Sequence, residues 1–130
     1  MEECLFCKII NKQIPAKTIY EDEKVLVFLD INPVSDGHLL IIPKKHVKNV
    51  LELPKDLAAD MVEIIQTKIY PLLKDKLQID GMTVIQNNEY GQEVPHYHIH
   101  IIPRYQEDGI KTVRKQQLLS IDEIEKKLTS

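Results

Sequence analysis

The chain has 130 residues, a formal net charge of −3, 43% hydrophobic residues and no tryptophan. That length fits one domain, residues 1–130, with a core that needs no disulfides. The acidic balance excludes a dedicated nucleic-acid binder, which needs a basic surface to neutralise phosphates. No run approaches the roughly 20 apolar residues of a membrane span, and the start Met1-Glu2-Glu3 is acidic where a secretion signal is basic. The expected setting is the cytoplasm, with neither membrane nor nucleic acid as partner.

In chain order, Cys4-Leu5-Phe6-Cys7 comes first. A reducing compartment disfavours a structural disulfide. The two-residue gap lets both thiolates reach one Zn²⁺, and two free buried thiols are the other reading. Phe6 to Asn11 predicts a short helix ahead of Pro15. Lys17–Tyr20 and Val25–Leu29 flank the polar turn Glu21–Lys24 and predict a β-hairpin. Asp30 to Gly37 is turn chemistry throughout, and His38–Ile42 predicts a buried strand ended by Pro43. Lys44-Lys45-His46-Val47-Lys48, the basic concentration of the first half, reads as a solvated turn, with an extended polyanion groove as the other reading. From Lys55, the apolar residues Leu57, Met61, Ile64, Ile65, Ile69, Leu72, Leu73 and Leu77 follow helical spacing, with Pro71 expected to kink or split the helix. Met82–Gln86 predicts a strand and Asn87–Gln92 a loop. Ser120 with Glu123 is a capping-box signature for a terminal helix bearing Ile121, Ile124 and Leu128. The expected class is α+β: an antiparallel sheet of about five strands, one long helix and short terminal helices.

All five histidines fall within 38–46 and 96–100. In the run His96-Tyr97-His98-Ile99-His100-Ile101-Ile102, strand geometry puts the three imidazoles on one face and Tyr97, Ile99 and Ile101 in the core. At about 3.3 Å per residue the outer two stand about 13 Å apart, too far for one metal ion with bonds of about 2 Å. The row must divide its work, because burying imidazoles side by side is costly unless each has a partner.

The segment Gly91-Gln92-Glu93-Val94-Pro95-His96-Tyr97-His98-Ile99-His100-Ile101-Ile102-Pro103-Arg104 resembles the signature of the histidine triad (HIT) family of nucleotide hydrolases and transferases. The earlier blocks Phe28–Pro33, Gly37-His38 and Ile42-Pro43-Lys44-Lys45-His46 resemble the first half of that family, so the likeness runs from about 4 to 105 and leaves out the tail 106–130. The resemblance implies that His98 is the nucleophile, attacking the α-phosphorus of a nucleotide and holding the nucleotidyl group until water removes it. It implies that His100 contacts phosphate oxygens and that His38 supports the site. Chemistry agrees for His98: an imidazole with a pKa near 6.5 is largely neutral at pH 7, and an acceptor on one nitrogen leaves the other free to attack.

By the same resemblance Asp30 meets the ribose hydroxyls, Ile31 walls the base, Asn87 contacts phosphate or leaving group, and Gly91, Gln92 and Glu93 form the phosphate-side loop. Relatives often carry serine or threonine at the position of Glu93. An ionised carboxylate cannot donate a hydrogen bond, so Glu93 is expected to contribute its backbone. The family's zinc-bearing branch implies a structural Zn²⁺ held by Cys4, Cys7, His46 and His96.

The reading that follows is a hydrolase cleaving a nucleoside 5′-monophosphate, AMP by resemblance, from an amine, acyl or phosphate leaving group. A purine nucleotide is the expected substrate and a homodimer with one continuous sheet the expected assembly. The rival readings are a dinucleoside polyphosphate hydrolase, a nucleotide-binding regulatory protein with residual catalysis, and a zinc-stabilised interaction module.

Overall fold

Alternation along the apolar runs decides the architecture. The computed structural model describes residues 4–111, 116 and 118–130, so the Met1–Glu3 start lies outside the described residues. The strands are β1 (Thr18–Glu21), β2 (Val25–Leu29), β3 (Leu39–Pro43), β4 (Gly81–Ile85) and β5 (Ile99–Arg104), all paired antiparallel in the order β1-β2-β3-β5-β4. β5, the last of the strands in sequence, is thus inserted between β3 and β4.

Because side chains alternate, each central strand feeds two cores. Val25, Val27, Leu39, Ile41, Ile99 and Ile101 face one side, where they meet the long helical segment through Leu57, Met61, Ile64, Ile69 and Leu73. Leu26, Phe28, Leu40 and Ile42 face the other, covered by the short helix α1 (Leu5–Ile10) through Phe6, Cys7 and Ile9. The histidines sit on this second side.

The long segment is neither broken nor sharply ended at Pro71. It runs as α2 (Lys55–Ile64), a π-helical turn (Ile65–Ile69) and α3 (Tyr70–Leu77). Pro71 has no N–H to donate, and its ring would collide with a carbonyl four residues back. The π turn, in which Tyr70 N–H bonds Ile65 O, accommodates it while Ile64 and Ile69 both stay in the core.

The second difference lies at the histidine run. The ladder begins only at Ile99, because Tyr97 N–H donates to Val47 O (2.7 Å) and not to a neighbouring strand. The alternation nonetheless holds through the irregular part: Tyr97 packs in the helix-side core, whereas His96 and His98 contact Phe6 on the other face. Near the C-terminus α4 (Ile121–Thr129) starts with the complete Ser120–Glu123 capping box and contains no buried residue.

Candidate functional site

Cys4 caps α1: its Sγ accepts the N–H of Cys7 at 3.2 Å, which turns both thiols toward the same point. There they meet two imidazoles brought by the segments after β3 and before β5. Cys4 Sγ lies 3.3 Å from His96 Nδ1, Cys7 Sγ lies 3.2 Å from His46 Nδ1, and the two Nδ1 atoms are 3.1 Å apart. Both cysteines are free and buried, and all four donor atoms lie within 4.8 Å of one another. The donor set is S₂N₂, and spacings near 3 Å are those of a tetrahedral Zn²⁺ shell with bonds of about 2.0–2.3 Å. His96 is oriented for this from behind, since its Nε2–H donates to Pro43 O at 2.8 Å and leaves the Nδ1 lone pair facing the thiols. Burial, reinforced by the neighbouring Cys4 thiol, pushes the Cys7 thiol up to about 11. Burial holds His96 below the ordinary imidazole value. A cation at this point would favour the ionised Cys7 thiol and the neutral His96 imidazole.

Two residues beyond His96, His98 is 4% exposed. Its Nδ1–H donates to His96 O at 2.7 Å, so the lone pair resides on Nε2. Phe6 stands edge-on to the ring, centroid to centroid 5.0 Å at 85°.

His38 and His100 form a chain of fixed tautomers. Gly37 makes the turn before β3 at φ +93°, where a Cβ would come within 2.6 Å of Leu77 Cδ1. The loop it closes is pinned by Ser35 Oγ–H to Pro103 O (2.6 Å) and Tyr105 O–H to Asp36 O (2.8 Å). Val34 N–H then donates to His38 Nδ1 at 3.0 Å, which places the His38 proton on Nε2. That Nε2–H points at His100 Nδ1, 3.0 Å away, leaving His100 with its own proton on Nε2. Asp30 Oδ2 lies 3.5 Å from His38 Nε2 and 3.9 Å from His100 Nδ1. Burial lowers the pKa of both histidines, His98 and His38 adding to the effect on His100 while Asp30 opposes it. By distance Asp30, His38 and His100 could also gather a cation. A His38 Nε2 that carries its proton has no lone pair to offer one.

The remaining residues fall around this chain unequally. Asp30 Oδ1 accepts Asn32 N–H at 2.8 Å, and Ile31 is 88% exposed, a free apolar surface at the loop tip. Gly91 has φ +94°, and a Cβ there would meet nothing within 4 Å, so the loop is open at that point. Gln92 is engaged with protein: its Nε2–H donates to Lys48 O at 2.6 Å and its Oε1 accepts Glu89 N–H at 3.2 Å. Asn87 offers its carbonyl to Gln86, whereas Asn88, which sequence reasoning passed over, ties the loop to Val50 N–H at 2.9 Å. Glu93 is exposed on the same loop. Sequence reasoning also passed over Phe6, whose one signal was its place between two cysteines.

The HIT domain family matches residues 11–107. The chain belongs to the HIT family. A HIT-like protein of Methanocaldococcus jannaschii is 48% identical to it over 121 residues, 92% of either chain. An adenosine 5′-monophosphoramidase of Candida albicans is 38% identical over 109 residues, 80% of this chain and 72% of the relative. The crystal structure of a Zn-bound histidine triad family protein from Mycobacterium smegmatis superimposes with a TM-score of 0.80 at 34% identity, covering 89% of this HIT chain and 85% of that one. Among the described residues of this HIT protein, no helix is long and apolar enough to cross a membrane.

Proposed function

We propose that this HIT protein hydrolyses nucleoside 5′-phosphoramidates, adenylates first among them, through a covalent intermediate on His98. The observation that carries the reading is the His98 tautomer, fixed by the His96 carbonyl so that Nε2 holds its lone pair. His98 Nε2 attacks the α-phosphorus and forms a P–N bond. The bond to the leaving amine breaks, and the amine departs with a proton from solvent. Water then attacks the same phosphorus, giving the nucleoside monophosphate and returning the electron pair to Nε2. His100 Nε2–H, oriented by the relay from Val34 through His38, donates to a phosphoryl oxygen as negative charge grows there. Asp30 accepts from the ribose and exposed Ile31 lies against the base. The loop of Gly91, Gln92 and Glu93, open at Gly91, lies on the phosphate side, with Asn87 beside it. The name of the Candida albicans relative supports an amine leaving group.

Cys4, Cys7, His46 and His96 would hold a structural Zn²⁺. With all four positions taken by protein, these residues would tie α1 to the start of the histidine run, and the ion would supply structural support and no bound nucleophile. The chain acts as one cytoplasmic domain. It pairs into a homodimer through the outer edge of β4, whose other edge β5 already fills.

The test is turnover of adenosine phosphoramidate by wild type and His98→Asn, with rapid-quench trapping of nucleotidyl-histidine. The expected result is wild-type turnover, a trapped adduct on His98, and a loss of about 10³-fold or more in the variant. Undiminished turnover by His98→Asn would overturn the mechanism. A regulatory protein with residual catalysis would have little use for an unblocked Nε2 at this position. Dinucleoside polyphosphates place the same α-phosphate before His98, and comparing kcat/KM across both substrate classes decides the leaving group.

A further inference from the structure

Phe6 occupies a place that the reaction outlined above does not use. It is 5% exposed and lies on α1 between the two cysteines of the S₂N₂ cluster. Its ring meets His96 at 5.9 Å and 76° and His98 at 5.0 Å and 85°, and it also stands edge-on to Phe28 at 5.7 Å and 73°. One side chain therefore touches a residue of the cluster, the candidate nucleophile and the sheet beneath.

The single hydrogen bond from His98 Nδ1 to His96 O fixes one atom of the imidazole but leaves rotation about that contact to be limited by packing. His100 bounds the ring on one flank, centroid to centroid 5.1 Å. The edge-on contact from Phe6 bounds it on another. Aromatic pairs in this geometry favour one orientation over its neighbours.

We propose that Phe6 is a positioning residue that holds the His98 ring plane and so couples the cysteine cluster to the nucleophile. It rests on His98 being the nucleophile. The helix bearing Phe6 is only six residues long and is fastened at Cys4 and Cys7, on both flanks of the ring. Whatever loosens those thiols loosens the wall against which His98 rests.

The decisive variant is Phe6→Leu, which keeps an apolar side chain of similar reach and removes the ring. Two readouts are needed: steady-state kinetics with adenosine phosphoramidate, and the ring signals of His98 in ¹³C-histidine-labelled protein, with metal content checked by elemental analysis. We expect kcat to fall about three- to tenfold, the scale of one aromatic pair, with KM within about twofold and metal content unchanged. The His98 ring signals should move and broaden while those of His38 stay in place. Unchanged His98 signals would overturn the proposal, as would a rise in KM at constant kcat, which would make Phe6 a substrate contact. Phe6→Tyr keeps the ring and should retain both the wild-type kcat and the wild-type spectrum. The NMR result stands without any turnover, so a wild-type protein that fails to hydrolyse the substrate removes the nucleophile reading while leaving the packing of Phe6 on His98 separately judged.

Discussion

At the scale of single residues, the site is organised by which ring nitrogen carries a proton. Three backbone groups make that choice: His96 O for His98, Val34 N–H for His38, and Pro43 O for His96. His38→Ala removes the donor that holds His100, so kcat should fall by at least about tenfold while adenylate binding, measured by calorimetry, changes little. Equal losses in binding and turnover would place His38 in the substrate pocket. Burial holds His38 below the usual imidazole value, so as the pH falls the unfolded chain takes up the proton first. The stability from keeping it neutral is complete above about pH 6.5 and declines below it. Thermal melts should therefore show Tm decreasing from about pH 7.5 to 5.5, more steeply for wild type than for His38→Asn. Gly37→Ala should cost about 1–2 kcal/mol or more, because φ +93° and the contact with Leu77 both disfavour a Cβ. A denaturant midpoint equal to wild type would contradict that account.

Among the elements, α1 depends most on its surroundings. Six residues cannot sustain a helix alone in water; this one is held by Phe6, Cys7 and Ile9 in the core and by the cysteine cluster. If the cluster binds zinc, chelation should raise amide exchange across Leu5–Ile10 while β2 and β3 keep their protection. Uniform loss of protection would make the ion a support of the whole fold. The helical period of Leu57, Met61 and Ile64 and the alternation in β2 and β3 were legible because burial imposes them locally. The π turn was not, since Ile64 and Ile69 fit a loose helical pattern without revealing an extra residue in the turn. The true start of β5 was hidden too. The N–H of Tyr97 goes to Val47, a partner 50 positions away that no local pattern names. Phe6 read as an ordinary apolar residue on a short helix, and its contacts with two histidines depend on chain segments some 90 positions distant.

Taken whole, the molecule divides into a sheet with two covered faces and a terminal helix that lies outside both cores. α4 buries no residue, so a chain ending after Leu119, ahead of the cap Ser120, should melt within about 2 °C of wild type, the range expected when no core contact is lost. By contrast Ile41→Ala, in the middle of the sheet and fully buried, should cost about 2–5 kcal/mol. The proposed dimer makes a separate demand. Light scattering should give twice the chain mass, and Val84→Lys, a charge at a half-exposed position of β4, should shift the population toward monomer if that edge is the contact. That α1 and the histidine run would meet was legible only through likeness to a family. Cys4 and His96 are 92 positions apart, and composition or periodicity says nothing about such pairs.

The insertion of β5 between β3 and β4 bears on how the chain matures as it is made. Until residues 99–104 are available, β3 has one bare edge and β4 has no neighbour at all. His100 arrives with that same stretch, and His98 and His96, the latter completing the cysteine cluster, arrive just ahead of it. During synthesis the two thiols therefore wait for His96 through most of translation. A chain ended before residue 99 lacks the strand that joins β3 to β4. The last strand to be made is the keystone of the sheet.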